Sequence, residues 1–323
     1  MGTAFIHIGV SKTATTTLQR NLFAQLGGIQ YLGKPGPHER DGAVEGFSKE
    51  NSALLERTLE DMVGGRVCPR HEVETLRTVI ENLKKREAPV VYSNELLVDN
   101  KHISFADIAT GLKDIFGPSE LLVAVRDPQT ALHSVYLHEM ACLPDSHLCF
   151  PEWLDEAIAN PRRINRRGES LEQYRYAFML DQFRAVFEKI TVLRYEDLVD
   201  SPSGFSHALS TLLGVNPKGI EDLLAKPPKN PTRSPLFYHY RRLVHKVRSH
   251  APFLRSYSVA RKLNDAIERI TEKLPKQSVS ISQRDRNRIA YFFPYPIDER
   301  ELSKQREPNN ATAVSSKQSK LAV

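Results

Sequence analysis

Short apolar runs alternate with amphipathic stretches along most of the chain. Four apolar runs are typical of buried strands: Ala4–Gly9, Pro89–Ser93, Glu120–Val125 and Ile190–Arg194. Helical spacing of apolar residues covers 18–26, 51–62, 71–86, 103–117, 129–140, 152–159, 171–188 and 203–213. Strands that alternate with helices predict an α/β domain built on a parallel sheet.

Two parts of the chain depart from this alternation of strands and helices. Residues 33–50 are rich in Gly, Pro and charge, which predicts a loop. From Pro235 the pattern is helical, and from Ser303 it is polar without periodicity. We therefore expect one domain over residues 1–302, with a helical C-terminal extension, and a disordered tail over residues 303–323.

Composition narrows the class of protein. The 323 residues are 40% hydrophobic, and they contain no apolar stretch of the about 18 residues that a transmembrane helix needs. The three cysteines are too few for a disulfide framework, so a cytoplasmic protein is expected. The net charge of +6 is concentrated in residues 226–276, which hold 13 Lys and Arg against 3 acidic residues. This segment predicts anionic partners, or else a solvated helical face.

A polar loop follows the first strand. The segment Gly9–Thr17 reads GVSKTATTT and leads into a helix. Such a turn presents backbone N–H groups and a positive helix end to an anion, and Lys12 and the threonine hydroxyls add donors. This pattern predicts a phosphate-binding loop, unless it is a threonine-rich turn that caps a core helix. A Walker A loop that starts at Gly9 would have Gly at position 14 and Lys at position 15, where this chain has Ala14 and Thr15. An ATPase or a kinase is therefore not favoured.

A second motif follows the third predicted strand. Arg126 stands at the carboxyl end of that strand, where open α/β sheets bind ligands, and Ser134 follows eight residues later. Asp127 and Pro128 are typical of a helix start. A guanidinium and a hydroxyl that converge there predict a second phosphate site. The alternative is a surface ion pair between Arg126 and a carboxylate.

Together these motifs resemble those of sulfotransferases that use 3′-phosphoadenosine 5′-phosphosulfate (PAPS). HIGVSKTATTTLQ (7–19) is similar to the family's 5′-phosphosulfate loop, HIG-x-x-KTGTT-x-LQ, and VRDPQTALHSVY (125–136) to its 3′-phosphate motif, R-[DN]-P-x-x-R-x-x-S-x-Y. VLRYEDLVDSP (192–202) resembles a third signature, and TRS (232–234) loosely resembles an N-[RK]-S element. The resemblance implies a P-loop-like three-layer domain, with a central parallel sheet flanked by helices.

The resemblance also implies an activity and its residues. The expected reaction transfers a sulfuryl group from PAPS to a hydroxyl of a carbohydrate or glycolipid, and releases 3′,5′-adenosine bisphosphate. The residues implied to bind PAPS are Ser11, Lys12, Thr13, Ala14, Thr15, Thr16, Thr17, Arg126, Ser134 and Arg233. Lys12 is placed to neutralise the leaving phosphate oxygen, and no metal is needed in this picture.

Two positions depart from the family pattern. Ala14 replaces a glycine, which narrows the room for close approach of the backbone to phosphate. Ala131 replaces the second arginine of the 3′-phosphate motif, which removes one positive charge. The candidates to replace this charge are Arg166, Arg167, Lys229 and Arg233. These departures keep open a catalytically silent nucleotide-binding protein of the same fold.

The acceptor hydroxyl needs a general base. Glu95 follows the second predicted strand at the presumed cleft, so it is a candidate base, or else a helix-start or salt-bridge residue. His133 and His138 are alternatives on the helix after the third strand. His7 alternates with apolar neighbours and is expected in the core.

The remaining polar clusters carry weaker hypotheses. Glu196 and Asp197 are expected to be structural, because neighbours at a strand end point apart. The spacing of Cys142, His147 and Cys149 fits no common zinc site, so no metal is predicted. The arginines of 141–170 hint at an acidic acceptor; they are Arg162, Arg163, Arg166 and Arg167. Nucleic-acid binding lacks a recognition motif. Peripheral membrane contact and the oligomeric state stay open.

Overall fold

A computed structural model describes residues 2–33, 44–98, 104–142, 148–161, 171–225 and 281–295. Its strands are β1 (Ala4–Gly9), β2 (Gln30–Tyr31), β3 (Val90–Ser93), β4 (Ser119–Val125) and β5 (Ile190–Arg194). Its α-helices are α1 (Thr15–Thr17), α2 (Lys49–Val63), α3 (Arg70–Lys84), α4 (Phe105–Phe116), α5 (Pro128–Cys142), α6 (Phe150–Ala159), α7 (Tyr176–Arg184), α8 (Tyr195–Asp200), α9 (Pro202–Leu213), α10 (Pro217–Leu224) and α11 (Gln283–Phe292). A π-helical turn covers Leu18–Phe23, and 3₁₀ turns cover Glu95–Leu97 and Leu171–Tyr174.

The five strands form one parallel sheet in the order β2-β3-β1-β4-β5. Strand β1 lies at the centre, where Ala4 pairs with both Val90 of β3 and Ser119 of β4. All strands run in the same direction, so the segments that follow β1, β3 and β4 leave the sheet at one edge. The topology therefore brings the three candidate site segments together.

Two apolar cores cover the two faces of the sheet. Along β1, Ala4, Ile6 and Ile8 point to one face, and Phe5 points to the other. The first core also holds buried residues of α2 to α7, and the second holds residues of the π-helical turn, α9 and α10. This arrangement of helices on both faces is the three-layer α/β architecture that the sequence predicts.

The structure corrects several predicted elements. The short edge strand β2 and helices α8 and α10 were not predicted from the apolar pattern. The single helix expected over residues 171–188 is a 3₁₀ turn, a break at Arg175 and helix α7. The helix expected over residues 18–26 is a π-helical turn after the short helix α1. Of the predicted C-terminal extension only residues 281–295 are described, and the proposed tail at 303–323 lies outside the described residues.

Candidate functional site

Two residues of the loop after β1 have an unfavourable backbone conformation. Lys12 and Ala14 have φ angles of 67° and 62°, which lie in the left-handed region. This conformation costs a residue with a Cβ about 1–2 kcal/mol. A Cβ on Gly9 would lie 1.9 Å from the Thr15 methyl carbon, so Gly9 is needed for the loop to fold back on the strand. The hydroxyl of Thr13 donates to the Val10 carbonyl across 2.6 Å and closes the turn.

This geometry suits an anion. Helix α1 begins at Thr15, so the N–H groups of Thr15 and Thr16 precede its first internal hydrogen bonds, whereas the Thr17 N–H donates to the Ala14 carbonyl across 2.9 Å. Backbone N–H groups next to left-handed residues form concave anion sites in proteins. Ser11, Lys12, Thr16 and Thr17 are half-buried, whereas Thr13 is buried with its hydroxyl turned inward. The loop thus combines N–H donors, hydroxyls and one lysine at the central strand.

Arg126 lies against this loop from the neighbouring strand β4. Its Nη1 donates to the Lys12 carbonyl across 3.1 Å, and its Nε donates to the Thr130 hydroxyl across 3.0 Å. The guanidinium also stacks over the Tyr195 ring at 4.3 Å from the centroid. None of the ion pairs within the described ranges involves Arg126, so the alternative of a surface ion pair is not supported. Its remaining N–H donors are available for an anion.

Helix α5 carries the rest of the second motif. It begins at Pro128, and the Asp127 carboxylate accepts from the Gln129 N–H across 3.1 Å, as the sequence predicts. Ser134 is half-buried in the second turn. Ala131 has no exposed surface and packs in the first apolar core, so the position where the family pattern has an arginine is a core position here.

Histidine side chains near this helix differ in their surroundings. Burial and the Arg126 charge both lower the pKa of His133, burial being the larger cause. Its ring contacts those of Tyr136 and Phe150, at centroid distances of 6.3 and 5.2 Å. His138 is half-buried on the same helix. His133 therefore packs in an aromatic cluster with Tyr136 and Phe150, which favours a structural role for this residue over that of the base.

Glu95 lies two residues after the end of β3, which is on the opposite side of β1 from β4. Its Oε2 accepts a hydrogen bond from the Thr15 hydroxyl across 2.5 Å. The side chain is half-buried. Glu95 also begins the 3₁₀ turn Glu95–Leu97, as the helix-start alternative expects, and within the described ranges it makes no ion pair. The candidate base and the loop are in direct contact.

His7 occupies the core beneath this edge. It is fully buried, and its Nδ1 lies 2.6 Å from the Ser93 hydroxyl. Burial lowers the pKa of His7 to about 3, so the ring is neutral at pH 7. This agrees with the core role expected for His7.

The third signature supports the second motif from the opposite side. Glu196 accepts from the Asp127 N–H across 2.9 Å and from the Tyr295 hydroxyl across 2.7 Å. It lies in helix α8, and not at a strand end as the sequence analysis assumed. Asp197 is exposed. Glu196 therefore has the structural role that was expected, since it holds the start of α5. Its contact with Tyr295 joins residues far apart in sequence, so the motif does not predict it.

Several predicted residues cannot be placed. Arg233, Lys229, Arg166 and Arg167 lie outside the described residues, as do Arg162 and Arg163. His147 does too, and the side chain of Cys142 is not described. Among the residues that are described, no three His, Cys, Asp or Glu side chains are grouped to share a metal ion. No helix in the described ranges is both long and apolar enough to cross a membrane.

Sequence reasoning missed three side chains that contact the two motifs. Gln173 and Tyr174 bind the backbone of Ser11, and Tyr176 binds the backbone of Arg126. They come from a segment without a recognisable motif. Because they contact backbone atoms far away in sequence, no local pattern signals them.

Solved structures with a similar fold include three sulfotransferases. The sulfotransferase from Alicyclobacillus acidocaldarius is 17% identical with a TM-score of 0.41, over 81% of this chain and 99% of its own. The sulfotransferase domain of the curacin biosynthetic pathway is 17% identical with a TM-score of 0.40, over 71% of this chain and 79% of its own. The sulfotransferase domain of the Synechococcus PCC 7002 olefin synthase is 16% identical with a TM-score of 0.40, over 92% of this chain and 96% of its own.

All three structures are sulfotransferases, which is the family that the sequence motifs resemble. No family model matches the chain, and no curated protein matches it.

Proposed function

We propose that this protein is a PAPS-dependent sulfotransferase that sulfates a hydroxyl of a carbohydrate or glycolipid and releases 3′,5′-adenosine bisphosphate. The observation that carries the proposal is the 3.1 Å hydrogen bond from Arg126 Nη1 to the Lys12 carbonyl. It joins the cation of the second motif to the loop of the first. Two separate groups of anion donors at one sheet edge suit a nucleotide with two phosphates.

The donor set fits such a nucleotide. The loop offers Lys12, the hydroxyls of Thr16 and Thr17 and the N–H groups at the start of α1. Arg126 uses one N–H for the Lys12 carbonyl and one for the Thr130 hydroxyl, and its other N–H donors can bind an anion. Ser134 adds a hydroxyl. We assign the 5′-phosphate to the loop, and the 3′-phosphate to Arg126 and Ser134.

The roles of the residues follow from the chemistry. PAPS supplies the sulfuryl group, and negative charge builds on the oxygen that leaves. Lys12 neutralises that charge with its ammonium group, and the N–H groups of Thr15 and Thr16 hold the phosphate in place. Glu95 accepts the proton of the acceptor hydroxyl at a carboxylate oxygen. Its bond from Thr15 holds this carboxylate beside the loop.

The acceptor and the cellular location remain predictions from the sequence. The arginines of 162–167 are the reason to propose an acidic acceptor. Arg166, Arg167, Lys229 and Arg233 are the candidates to replace the positive charge that Ala131 lacks, and all four lie outside the described residues. A cytoplasmic location is likewise proposed, from the small number of cysteines.

Transfer of labelled sulfate tests the proposal. Purified protein is incubated with PAPS carrying ³⁵S and a panel of neutral and uronate-containing glycans and glycolipids. We expect label in at least one acceptor, and its loss in Lys12→Ala, which keeps its affinity for 3′,5′-adenosine bisphosphate within about tenfold. A wild-type protein that binds the bisphosphate and transfers no label to any acceptor would instead be a silent nucleotide-binding protein.

A further inference from the structure

Ser11, the residue before Lys12, is held on both sides by buried side chains. Its N–H donates to Gln173 Oε1 across 2.9 Å, and its carbonyl accepts from the Tyr174 hydroxyl across 2.8 Å. Gln173 and Tyr174 lie more than 160 residues away along the chain. Both polar groups of the Ser11 backbone are therefore fixed by one distant 3₁₀ turn.

Tyr176, two residues further on, holds Arg126 in the same manner. Its hydroxyl accepts from the Arg126 N–H across 3.3 Å and donates to the Arg126 carbonyl across 2.8 Å. Burial raises the pKa of Tyr176, so the phenol stays protonated and remains a donor. The ring meets that of Tyr174 edge-on, with 6.3 Å between the centroids. One short segment thus contacts the backbone of both motifs.

These three residues, which we call the brace, are buried too deeply to touch a ligand. Gln173 is 1% exposed, and Tyr174 and Tyr176 are fully buried. The brace contacts the loop beside Lys12, whose positive φ angle is strained. Strained backbone persists only where the surrounding structure fixes it. The hydrogen bond from Arg126 to the Lys12 carbonyl links the two held segments to each other.

We propose that the brace positions the loop and Arg126 relative to each other, and so sets the distance between the two anion sites. Gln173, Tyr174 and Tyr176 are then positioning residues for a ligand with two phosphates. The identity of that ligand rests on the proposed function, whereas the effect on the backbone does not.

Hydrogen exchange on the full chain without nucleotide tests the brace directly. In Gln173→Leu the Ser11 N–H loses its acceptor, and in Tyr174→Phe the Ser11 carbonyl loses its donor. We expect the loop amides of residues 11–16 to exchange about tenfold faster in both variants. Tyr176→Phe should instead speed exchange at Arg126 and leave the loop unchanged. Unchanged exchange at the loop in both loop-side variants would overturn the proposal.

Nucleotide affinities provide a second readout, which a merely structural role would not move. Gln173→Leu and Tyr174→Phe should weaken binding of 5′-AMP by about five- to tenfold and affect 3′-AMP less. Tyr176→Phe should show the reverse preference, and all three should weaken 3′,5′-adenosine bisphosphate. Equal losses for both monophosphates in all three variants would contradict the positioning role. A wild-type protein that binds none of these nucleotides would contradict the proposed function, and the exchange result would still decide on the brace.

Discussion

The hydroxyl of Thr15 donates to the carboxylate of Glu95 across 2.5 Å, although the two residues lie 80 positions apart. Thr15 is the first residue of the helix after the loop, and Glu95 lies two residues after β3, the strand beside β1. Thr15, whose N–H is proposed to bind the phosphate, is therefore hydrogen-bonded to Glu95, the proposed base for the acceptor hydroxyl. This contact places the candidate base next to the loop.

Replacing Glu95 separates catalysis from binding. Glu95→Gln keeps an oxygen that accepts from Thr15 but removes the carboxylate base. We expect kcat for sulfate transfer to fall by about 10²-fold or more, since general bases contribute about that much. Affinity for 3′,5′-adenosine bisphosphate should change by less than about threefold, because the loop keeps its hydrogen bond. Full activity in this variant would assign the base elsewhere, with His133 and His138 next in line.

The strained alanine of the loop allows a stability prediction. Ala14→Gly removes a Cβ from a backbone with φ of 62°. We expect the free energy of unfolding to rise by about 1 kcal/mol and Tm by about 2 °C. The control is Ala53→Gly, the same change at an exposed position of helix α2, which should lower stability by about 1 kcal/mol. If Ala14→Gly destabilises the protein like the control, the loop does not hold this conformation in solution.

His7 gives the stability a defined pH dependence. Its pKa is about 3 in the fold and about 6.5 in the unfolded chain. Between these values the unfolded state binds more protons, so stability is complete above pH 6.5 and falls as the pH is lowered toward 3. The slope from this group is at most about 1.4 kcal/mol per pH unit.

Denaturant unfolding between pH 4 and pH 7 measures this slope. His7→Asn, which retains a hydrogen-bonding side chain for Ser93, should flatten it. His71→Asn on the exposed face of α3 is the control and should leave it in place. An identical slope in wild type and His7→Asn would mean that His7 is not buried in neutral form.

Two adjacent carboxylates have different roles. Glu196→Ala removes the acceptor of the Asp127 N–H and of the Tyr295 hydroxyl. We expect a loss of about 1–3 kcal/mol in the free energy of unfolding, the cost of leaving such groups without partners. Asp197→Ala, at the exposed neighbour, should change stability by less than about 0.5 kcal/mol. Chemical denaturation of both variants checks this, and equal effects would refute the assignment.

The sequence predicted those parts of the molecule that depend on local pattern. The apolar runs identified β1, β3, β4 and β5, because parallel strands covered on both faces are continuously apolar. Strand β2 was missed because it has two residues, and the break at Arg175 because apolar spacing continues through it.

The candidate site was predictable in its motifs and not in its contacts. Glycine and threonine spacing located the loop, and Arg126 followed from its place at a strand end. The bond from Thr15 to Glu95 and the contacts of the brace join residues far apart in sequence, so only the folded chain reveals them. The burial of Ala131 was not predictable either, because it depends on which face of α5 packs against the core.

The most direct test of the two-phosphate site is a thermal-shift titration with 3′,5′-adenosine bisphosphate, 5′-AMP and ATP. A ligand at 100 times its Kd adds about 2.7 kcal/mol to the stability of the folded state, which shifts Tm by several degrees. The account predicts the largest shift with the bisphosphate, a smaller one with 5′-AMP, and loss of that difference in Arg126→Ala. A larger shift with ATP, or equal shifts with the bisphosphate and 5′-AMP in the wild-type protein, would contradict it.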